Sequence, residues 1–375
     1  MNKNTFVISA PADTYSGYGA RSRDLIKAII NLDKYDVKIL SQRWGNTRFG
    51  YLKDHNDEEI SSRIVTKIET QPDIWMQITV PNEFQPMGKF NIGVTAGIET
   101  TLCHGSWLEG CNRMNLILTS SNHSKEVFEK TIFEKINNQT KQKEGDLKLT
   151  TPVEVLLEGA DLSKYFSTKV NSDIEIVKSV DSITETFCFL SVGHWMQGVF
   201  GEDRKNIGYL IKAFTEVFKN KMKKPALILK TQKVGSSIMD QEIILKHIED
   251  IRKETKGTLP KIYLLHGEVS DNDMNQLYNH PKVKAMVSFT KGEGFGRPLL
   301  EFSLTGKPII ASGWSGHTDF LDKARAILIG GTLTNVHPSA VMKDALLTEA
   351  KWFTPDDNQS GYALKNVYKN YKKYL

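Results

Sequence analysis

Short apolar runs alternate with longer amphipathic stretches along most of the chain. In the first half, runs with the composition of buried strands lie at 5–9, 37–40, 75–80, 91–95, 116–120 and 153–157. In the second half, they lie at 187–192, 225–230, 261–265, 284–289 and 307–312. The segments between them, such as RSRDLIKAIINL and NIGYLIKAF, place apolar residues at helical spacing. Strands that alternate with helices in this way predict parallel sheets covered by helices, and therefore an α/β fold.

The length of the chain and the spacing of these elements predict two domains. A chain of 375 residues is too long for one ordinary core. We expect the first domain over residues 1–170 and the second over residues 180–350, joined within the charged, strand-free stretch 162–186. Residues 135–149 are polar and aperiodic, and they predict a loop. Tyrosines at helical spacing predict a terminal helix within residues 355–375.

Composition and charge exclude several functional classes. The hydrophobic content of 39% and the charged content of 25% are typical of a globular protein, and no apolar stretch approaches the ~20 residues that span a bilayer. The first residues lack the apolar core of a secretory signal, and the three cysteines show neither a disulfide framework nor a metal-ligand spacing. We therefore expect a cytoplasmic protein, in the host cytoplasm if the source is viral. The net charge of +5 suits anionic ligands but does not by itself indicate nucleic acid.

The most informative chemistry lies in the run KGEGFGRPLLEFSLTGKPIIAS over residues 291–312. A strand-like run precedes it, a glycine turn opens it, and Pro298 stands where the first turn of a helix accepts proline. This pattern predicts a βαβ unit with a glycine loop at the carboxyl end of a strand, where parallel sheets bind ligands. Backbone amides of such a loop and helix start can hold a phosphate. Glu293 and Glu301 can then hydrogen-bond hydroxyl-rich groups on either side of the phosphate, which predicts a nucleotide sugar as the ligand.

This segment resembles the donor-site motif of retaining glycosyltransferases of family 4, the group 1 superfamily. The pattern E-G-F-G-x-P-x-x-E is matched at every fixed position from Glu293 to Glu301. The resemblance implies the GT-B fold, in which two Rossmann-like domains turn their parallel sheets towards a central cleft. It also implies that the terminal helix, residues 355–375, packs back on the first domain. The implied reaction moves a hexose or pentose from a nucleoside-diphosphate sugar, expected to be a UDP- or GDP-sugar, to a hydroxyl acceptor without a metal ion.

The resemblance assigns roles to the two acids and to nearby cations. Glu293 would bind the transferred sugar, Glu301 the ribose of the nucleotide, and Lys205 would neutralise the donor diphosphate. His194 stands where the family has an arginine, and Arg204 is a further cation beside the lysine. Because a histidine of pKa ~6.5 carries only a fractional charge at pH 7, we expect Lys205 to supply most of the charge. The other expected donor contacts are Gly294, Phe295, Gly296, Pro298, Leu299, Lys230, Gly267, Val269, Gly17 and Gly19.

The first domain is expected to contact both the transferred sugar and the acceptor. Family members often carry a histidine that touches the donor sugar, and here either Glu99 or His104 takes its place. We prefer Glu99 as the catalytic residue because it is closer to a predicted strand end. Gly17 and Gly19 frame a glycine turn like the one that faces the donor phosphate in the family. The expected acceptor contacts are Arg21, Arg23, Arg43 and His104.

The sequence leaves the acceptor open. Basic residues of the first half (Arg21, Arg23, Arg43 and Arg48, with Lys135, Lys141, Lys143 and Lys148) can line a groove for phosphates. The runs WMQITVPNEF and GCNRMNLILTSSNHSKEVF also resemble glycosyltransferases encoded by bacteriophages, for which DNA is one known class of acceptor. A hydroxymethylated pyrimidine in DNA is therefore one hypothesis, beside a glycan, a lipid or a protein. A GT-B epimerase and a non-catalytic nucleotide-sugar-binding protein are the alternatives from other functional classes.

Overall fold

The computed structural model describes residues 3–137, 139–198, 200–233, 236–324 and 326–374. The chain divides into two compact units. The first unit contains Met1–Gly159 together with Met342–Ala350, and the second contains Ala160–Val341 together with Lys351–Leu375. Among the described residues, no helix is both long and apolar enough to cross a membrane.

The first unit is built around a parallel sheet of six strands. Its elements in chain order are β1 (Asn4–Ala10), α1 (Gly17–Asn31), β2 (Tyr35–Ser41), α2 (Tyr51–Asp54), α3 (Glu58–Ser61), β3 (Ile74–Ile78), β4 (Phe90–Thr95), α4 (Gly105–Cys111), β5 (Leu116–Thr119), α5 (Asn122–Lys130), β6 (Ile132–Ile136), β7 (Lys143–Lys148) and β8 (Val153–Val155). The strand order is β2-β1-β3-β4-β5-β8. Successive residues of β1 face opposite sides: Phe6 and Ile8 pack in the cluster of α1, and Val7 packs in the cluster of α4 and α5.

The second unit repeats this architecture with a different strand order. Its elements in chain order are α6 (Glu175–Asp181), β9 (Cys188–Val192), α7 (Ile207–Phe218), β10 (Ala226–Lys230), α8 (Ile238–Lys253), β11 (Ile262–Leu265), α9 (Asp271–Asn279), β12 (Val283–Ser288), α10 (Arg297–Ser303), β13 (Ile309–Ser312), β14 (Ile327–Ile329), β15 (Gly331–Asn335), β16 (Lys351–Pro355) and α11 (Asp357–Lys369). The parallel sheet has the order β11-β10-β9-β12-β13-β14. One apolar cluster lies between this sheet and α7, α8 and α11, and another between the sheet and α6, α9 and α10. The predicted α/β class with two parallel sheets is therefore confirmed.

The predicted loop over residues 135–149 is wrong in part. β6 and β7 form an antiparallel hairpin there, in which Phe133 lies opposite Leu147. These two side chains pack against the apolar cluster of α4 and α5, whereas Ile132 and Ile136 are exposed. Because only one face of a charged, two-stranded ribbon is buried, its apolar alternation is too short to stand out in the sequence.

The boundary between the units also differs from the expectation. The second unit begins at Ala160, and the stretch expected to join the domains contains α6. Ile176, Val177 and Val180 bury one face of this short helix in the cluster beneath α9.

The terminal helix packs on the second unit, and the prediction that it packs back on the first domain is wrong. Ala363, Leu364 and Val367 of α11 are buried in the cluster that contains α7. Tyr368 lies edge-on to Phe218, with 5.4 Å between the ring centroids. Helical spacing of apolar residues shows which face a helix buries but not against which partner.

A double-mutant cycle between Phe218 and Tyr368 tests this packing. Each single substitution to Leu should lower the free energy of unfolding in urea. The coupling energy should be about 0.5–1.5 kcal/mol, as for other edge-on aromatic pairs. The matched pair Phe218→Leu with Tyr362→Leu should show no coupling, because Tyr362 is on the exposed face of α11. Additive effects for the first pair would contradict the observed packing.

Candidate functional site

The carboxyl ends of β9 and β12 form the point at which the strand order of the second sheet reverses. These two strands are neighbours in the sheet, although α7 to α9 separate them in sequence. Loops that leave neighbouring parallel strands towards opposite faces open a crevice between them, where α/β sheets bind ligands. The loop after β9 carries Arg204 and Lys205, and the loop after β12 carries Glu293.

Glu293 is a buried carboxylate held by two cations. Lys205 Nζ lies 2.6 Å from its Oε1, and Arg204 NH1 lies 3.3 Å from its Oε2. The Glu293 side chain is only 7% exposed. Burial by itself would raise the pKa of Glu293, but the charges of Lys205 and Arg204 outweigh burial and hold that pKa at about 2. Glu293 is therefore ionised at neutral pH, and it links the two loops.

Backbone contacts hold the same two loops in register. The Lys291 amide donates to Arg204 O at 2.8 Å, and the Thr290 hydroxyl donates to the same carbonyl at 3.2 Å. Asn206 adopts a left-handed conformation (φ 55°) and donates from Nδ2 to Phe289 O at 3.1 Å. Lys205 is thus carried on a fixed backbone rather than on a free loop.

Gly193 leaves room for the lysine stem. A Cβ on this glycine would approach Lys205 Cε at 3.2 Å. Such a contact is tight and would displace the aliphatic part of the Lys205 side chain. A glycine at position 193 therefore favours the observed position of Lys205.

His194 is neutral at pH 7, whereas Lys230 is mostly charged. The His194 side chain is exposed to solvent on one side, but the surrounding protein partly desolvates its ring. This desolvation, followed by the charges of Lys205 and Arg204, lowers the pKa of His194 to about 4. It is therefore neutral at pH 7. Lys230 is buried at the end of β10 and donates to Gly267 O at 2.5 Å, and burial lowers its pKa to about 8. Lys230 is then mostly charged at pH 7, and the structure places it near His194.

Glu301 lies inside α10 and is also buried. Arg297 Nε is 3.2 Å from its Oε1, and the Tyr278 hydroxyl is 3.3 Å from its Oε2. Burial raises the pKa of Glu301 to about 7, and the Arg297 charge opposes this rise. The sequence pointed to Glu301 but gave no sign of Tyr278, because the two residues are 23 positions apart on different helices.

The apolar positions of the motif pack in the interior. Phe295 is buried against Phe320, with 4.9 Å between ring centroids, and Leu299 lies in the cluster beneath the sheet. Pro298 stands in the first turn of α10, as predicted. Gly296 has a φ of 96°, and a Cβ there would lie 2.9 Å from His317 Cβ.

The remaining residues of the predicted donor site are at the surface or in close backbone contact. A Cβ on Gly316 would lie 2.1 Å from Gly294 O, so these two loops touch directly. Gly267 has a φ of 95°, and Val269 is exposed in the loop after β11. Donor contacts for this whole group stay a prediction.

The glycine turn predicted at residues 17–19 is instead the first turn of α1. Gly17 begins the helix, and a Cβ on it would meet nothing within 4 Å. A Cβ on Gly19 would lie 2.3 Å from Thr14 O, so this glycine is needed for packing inside the unit. The Tyr18 ring stacks on Trp44 at 4.0 Å.

Glu99 and His104 occupy different surroundings in the first unit. Burial, and then the charges of nearby acids that include Glu99, raise the pKa of Tyr18 to about 12. Glu99 is therefore close to Tyr18, in the loop that follows β4. His104 caps α4: its Nδ1 accepts from the Ser106 amide at 3.2 Å, and its Nε2 lies 3.6 Å from Asp344. His104 therefore has a structural role, because it caps α4 and contacts Asp344.

Arg21 and Arg23 hold the first unit together, which differs from the expected acceptor contact. Arg21 is buried and donates to the carbonyls of Leu156 and Leu157. Arg23 is buried over the Tyr51 ring and donates to backbone carbonyls of the loop after β1. Arg43 is exposed, 5.1 Å from the centre of the Phe49 ring, and remains a candidate acceptor contact.

Within the residues that have been described, no group of three or more His, Cys, Asp or Glu side chains is arranged to hold a metal ion. The residues that cluster at the candidate site are instead two cations, one ionised carboxylate and a neutral histidine. This donor set suits an anionic ligand that carries hydroxyl groups.

Comparison with solved structures shows which fold the chain shares. It is similar to HepE from Anabaena in complex with UDP-glucose (14% identity, 99% of this chain and 91% of that chain, TM-score 0.59). It is similar to sucrose-phosphate synthase from Thermosynechococcus elongatus (10% identity, 98% and 90%, TM-score 0.60). It is also similar to WaaG, a glycosyltransferase involved in lipopolysaccharide biosynthesis (13% identity, 96% and 90%, TM-score 0.54). The expected GT-B fold class is thereby confirmed. No protein-family model matches the chain, and no protein of curated function matches its sequence.

The charge of Glu293 predicts an acid dependence of stability. Its pKa is about 2 in the folded protein and about 4.5 when unperturbed, so the ionised carboxylate stabilises the fold above pH 4.5 and loses this effect as the pH falls towards 2. Glu293→Gln should therefore be less stable than the wild type at pH 6, by a difference that shrinks between pH 5 and pH 3. Urea unfolding at each pH measures it. The exposed Glu242→Gln should show no such trend, and a difference that is independent of pH would contradict the ion pairing.

Proposed function

We propose that this protein is a retaining glycosyltransferase that moves a sugar from a nucleoside-diphosphate sugar to a hydroxyl acceptor. The observation that carries the proposal is the pairing of Lys205 with Glu293 at the strand-order reversal of the second sheet. The glutamate spacing of the motif supports it, as does the fold shared with a glycosyltransferase and with a protein that binds UDP-glucose. The proposed donor is a UDP- or GDP-sugar that carries a hexose or pentose.

Lys205 and Arg204 would stabilise the departing diphosphate. Two cations face one carboxylate, so the pair of loops keeps an excess positive charge, to which the neutral His194 adds nothing at pH 7. A lysine ammonium has three donors, and it can bind Glu293 and a phosphate oxygen at once. Charge that is already in place where negative charge develops lowers the barrier. Because these side chains neutralise the leaving group, we propose a reaction that needs no metal ion.

The chemical step would exchange one bond at the anomeric carbon of the donor sugar. The bond from this carbon to the diphosphate oxygen breaks, and the acceptor oxygen bonds to the same face of the sugar. The acceptor proton passes to the departing diphosphate oxygen. Glu293 would accept hydrogen bonds from hydroxyl groups of the sugar and hold it during the step. Glu99 of the first unit is also proposed as a catalytic residue.

A surface loop of the first unit supports a narrower proposal for the acceptor. Residues 42–50 contain no acidic residue, and Arg43 is exposed in this loop, while the exposed Arg48 is paired with Asp54. Trp44 stacks on Tyr18, and Arg43 lies over the Phe49 ring. Arginine and aromatic side chains together bind stacked bases and phosphates. We propose a hydroxymethylated pyrimidine in DNA as the acceptor, which the enzyme would turn out of the base stack.

An assay of donor turnover tests the proposed function. The protein is incubated with UDP-, GDP- and ADP-sugars, each with and without DNA that contains hydroxymethylcytosine or hydroxymethyluracil. Release of the nucleotide and the mass of the DNA are measured. A gain of one sugar mass on the DNA supports the whole proposal. Turnover that requires a glycan, lipid or protein instead supports the transferase alone, and an epimerised sugar without any acceptor indicates an epimerase. Binding of a donor without turnover indicates a non-catalytic binding protein.

Replacing the lysine should cost most of the activity. Lys205→Met should lower kcat by about 10²–10³-fold, the usual loss when one stabilising group is removed. Lys205→Arg should retain part of the activity, because it keeps the charge but changes the geometry. Lys212→Met is the control, since Lys212 lies on the exposed face of α7. Equal activity in Lys205→Met and Lys212→Met would contradict the proposed role of Lys205.

Replacing the aromatic loop should affect the acceptor alone. Trp44→Ala should raise KM for DNA by about 5–150-fold, because a stacked base is worth about 1–3 kcal/mol, and Arg43→Ala should raise it through the loss of a positive charge. They should leave the affinity for the donor unchanged. Lys67→Ala, an exposed charge elsewhere in the first unit, is the control. Loss of donor affinity in Trp44→Ala, or an unchanged KM for DNA, would contradict the acceptor role of the loop.

A further inference from the structure

A buried group of hydroxyl and carboxyl side chains surrounds Glu301. Tyr278 is fully buried in α9, and its ring lies edge-on to Phe302, with 5.6 Å between the ring centroids. This packing fixes the ring, so the Tyr278 hydroxyl is held 3.3 Å from Glu301 Oε2. Arg297 holds the other oxygen of Glu301 at 3.2 Å. Each oxygen of the carboxylate thus has one donor, Tyr278 from α9 on one oxygen and Arg297 from α10 itself on the other.

Tyr165 extends this group from the segment that precedes α6. Its hydroxyl donates to Asp271 Oδ1 at 2.9 Å, and Lys164 pairs with Asp271 Oδ2 at 2.8 Å. The Tyr165 ring lies 6.2 Å from the Tyr278 ring. Burial, and then the charges of Glu301 and Asp271, raise the pKa of Tyr165 far above its ordinary value, so its hydroxyl keeps its proton.

The two fixed donors determine what Glu301 can still accept. A carboxylate oxygen accepts about two hydrogen bonds. Among the described residues, Tyr278 takes one position on Oε2 and Arg297 one on Oε1, which leaves one position on each oxygen. Two neighbouring acceptors of this kind match the two hydroxyl donors of a ribose cis-diol. Without Tyr278, the carboxylate would be free to rotate towards Arg297.

We infer that Tyr278 is a positioning residue for nucleotide binding: its hydroxyl orients the carboxylate of Glu301 to receive the ribose diol of the donor. This inference rests on the proposed function, because it presumes that the ligand contains a nucleoside. Tyr278 touches Glu301 and is not assigned a contact with the donor itself.

Because Glu301 titrates near neutral pH, the affinity for the nucleotide should depend on pH. The groups that face Glu301 are Arg297 on its own helix, Tyr278 and Asp271 on α9, and Tyr165 on the preceding segment. Burial raises the pKa of Glu301 to about 7, while Arg297 and the Tyr278 hydrogen bond lower it. The ionised fraction of Glu301 therefore rises between pH 6 and pH 8. Loss of the Tyr278 hydroxyl should raise the pKa further and move the rise to higher pH.

Calorimetric titration tests the inference. The wild type is first titrated with UDP-glucose and with GDP-mannose, and the compound that it binds more tightly is then used for every variant. Neither compound changes its ionisation appreciably between pH 6 and pH 8, because the diphosphate is already ionised and the base loses its ring N–H proton only above about pH 9. Tyr278→Phe should weaken binding about tenfold at pH 7, the usual loss for one hydrogen bond to a charged group. The weakening should decrease from pH 6 to pH 8, and the pH midpoint of binding should move upward. Tyr263→Phe is the matched control, because this tyrosine of the same unit donates to Glu185 at 2.9 Å, outside the candidate site.

The outcomes separate this inference from the proposed function. Wild-type protein that binds neither compound would overturn both. Wild-type binding with Tyr278→Phe unchanged, or weakened equally from pH 6 to pH 8, would overturn the positioning role alone. If Tyr278→Phe does not fold, the wild type decides: its affinity should rise between pH 6 and pH 8, and a flat profile would overturn the inference.

Discussion

The ion pair between Lys205 and Glu293 is the interaction on which the candidate site depends. It joins loops that follow two neighbouring strands, 88 residues apart in sequence, and it is almost fully buried. A buried carboxylate without cationic partners would become neutral, and buried cations without a carboxylate would repel each other. The pair therefore fixes the charge of Glu293 and the position of Lys205 before any ligand arrives.

The sheet topology explains why this pair forms at all. The strand order reverses between β9 and β12, so their following loops diverge to opposite faces and leave a crevice. Lys205 and Arg204 bring positive charge to one side of it, and Glu293 brings an ionised carboxylate to the other. Glu301, held by Tyr278 and Arg297, has a pKa near neutrality and adds a second carboxylate of different character. One acid is permanently charged, and the other responds to pH.

The sequence predicts the strands of the fold and the acidic residues of the site better than it predicts which elements and side chains contact each other. Strong apolar runs identify all strands of the first sheet and those of the second sheet except the edge strand β14, and the motif identifies Glu293 and Glu301, because these signals are local. The hairpin of β6 and β7 is missed because one buried face on a charged ribbon leaves little periodicity. The partner of α11 is missed because apolar spacing does not specify what a helix packs against. Arg21 is misread because a positive charge in a sequence does not reveal that backbone carbonyls surround it.

A crystal structure of the protein with a bound nucleoside-diphosphate sugar tests the central claim most directly. The account predicts a diphosphate oxygen within hydrogen-bond distance of Lys205 Nζ, the sugar hydroxyls against Glu293 and the ribose hydroxyls against Glu301. A diphosphate bound away from Lys205, with the ion pair to Glu293 left intact and uninvolved, would contradict it.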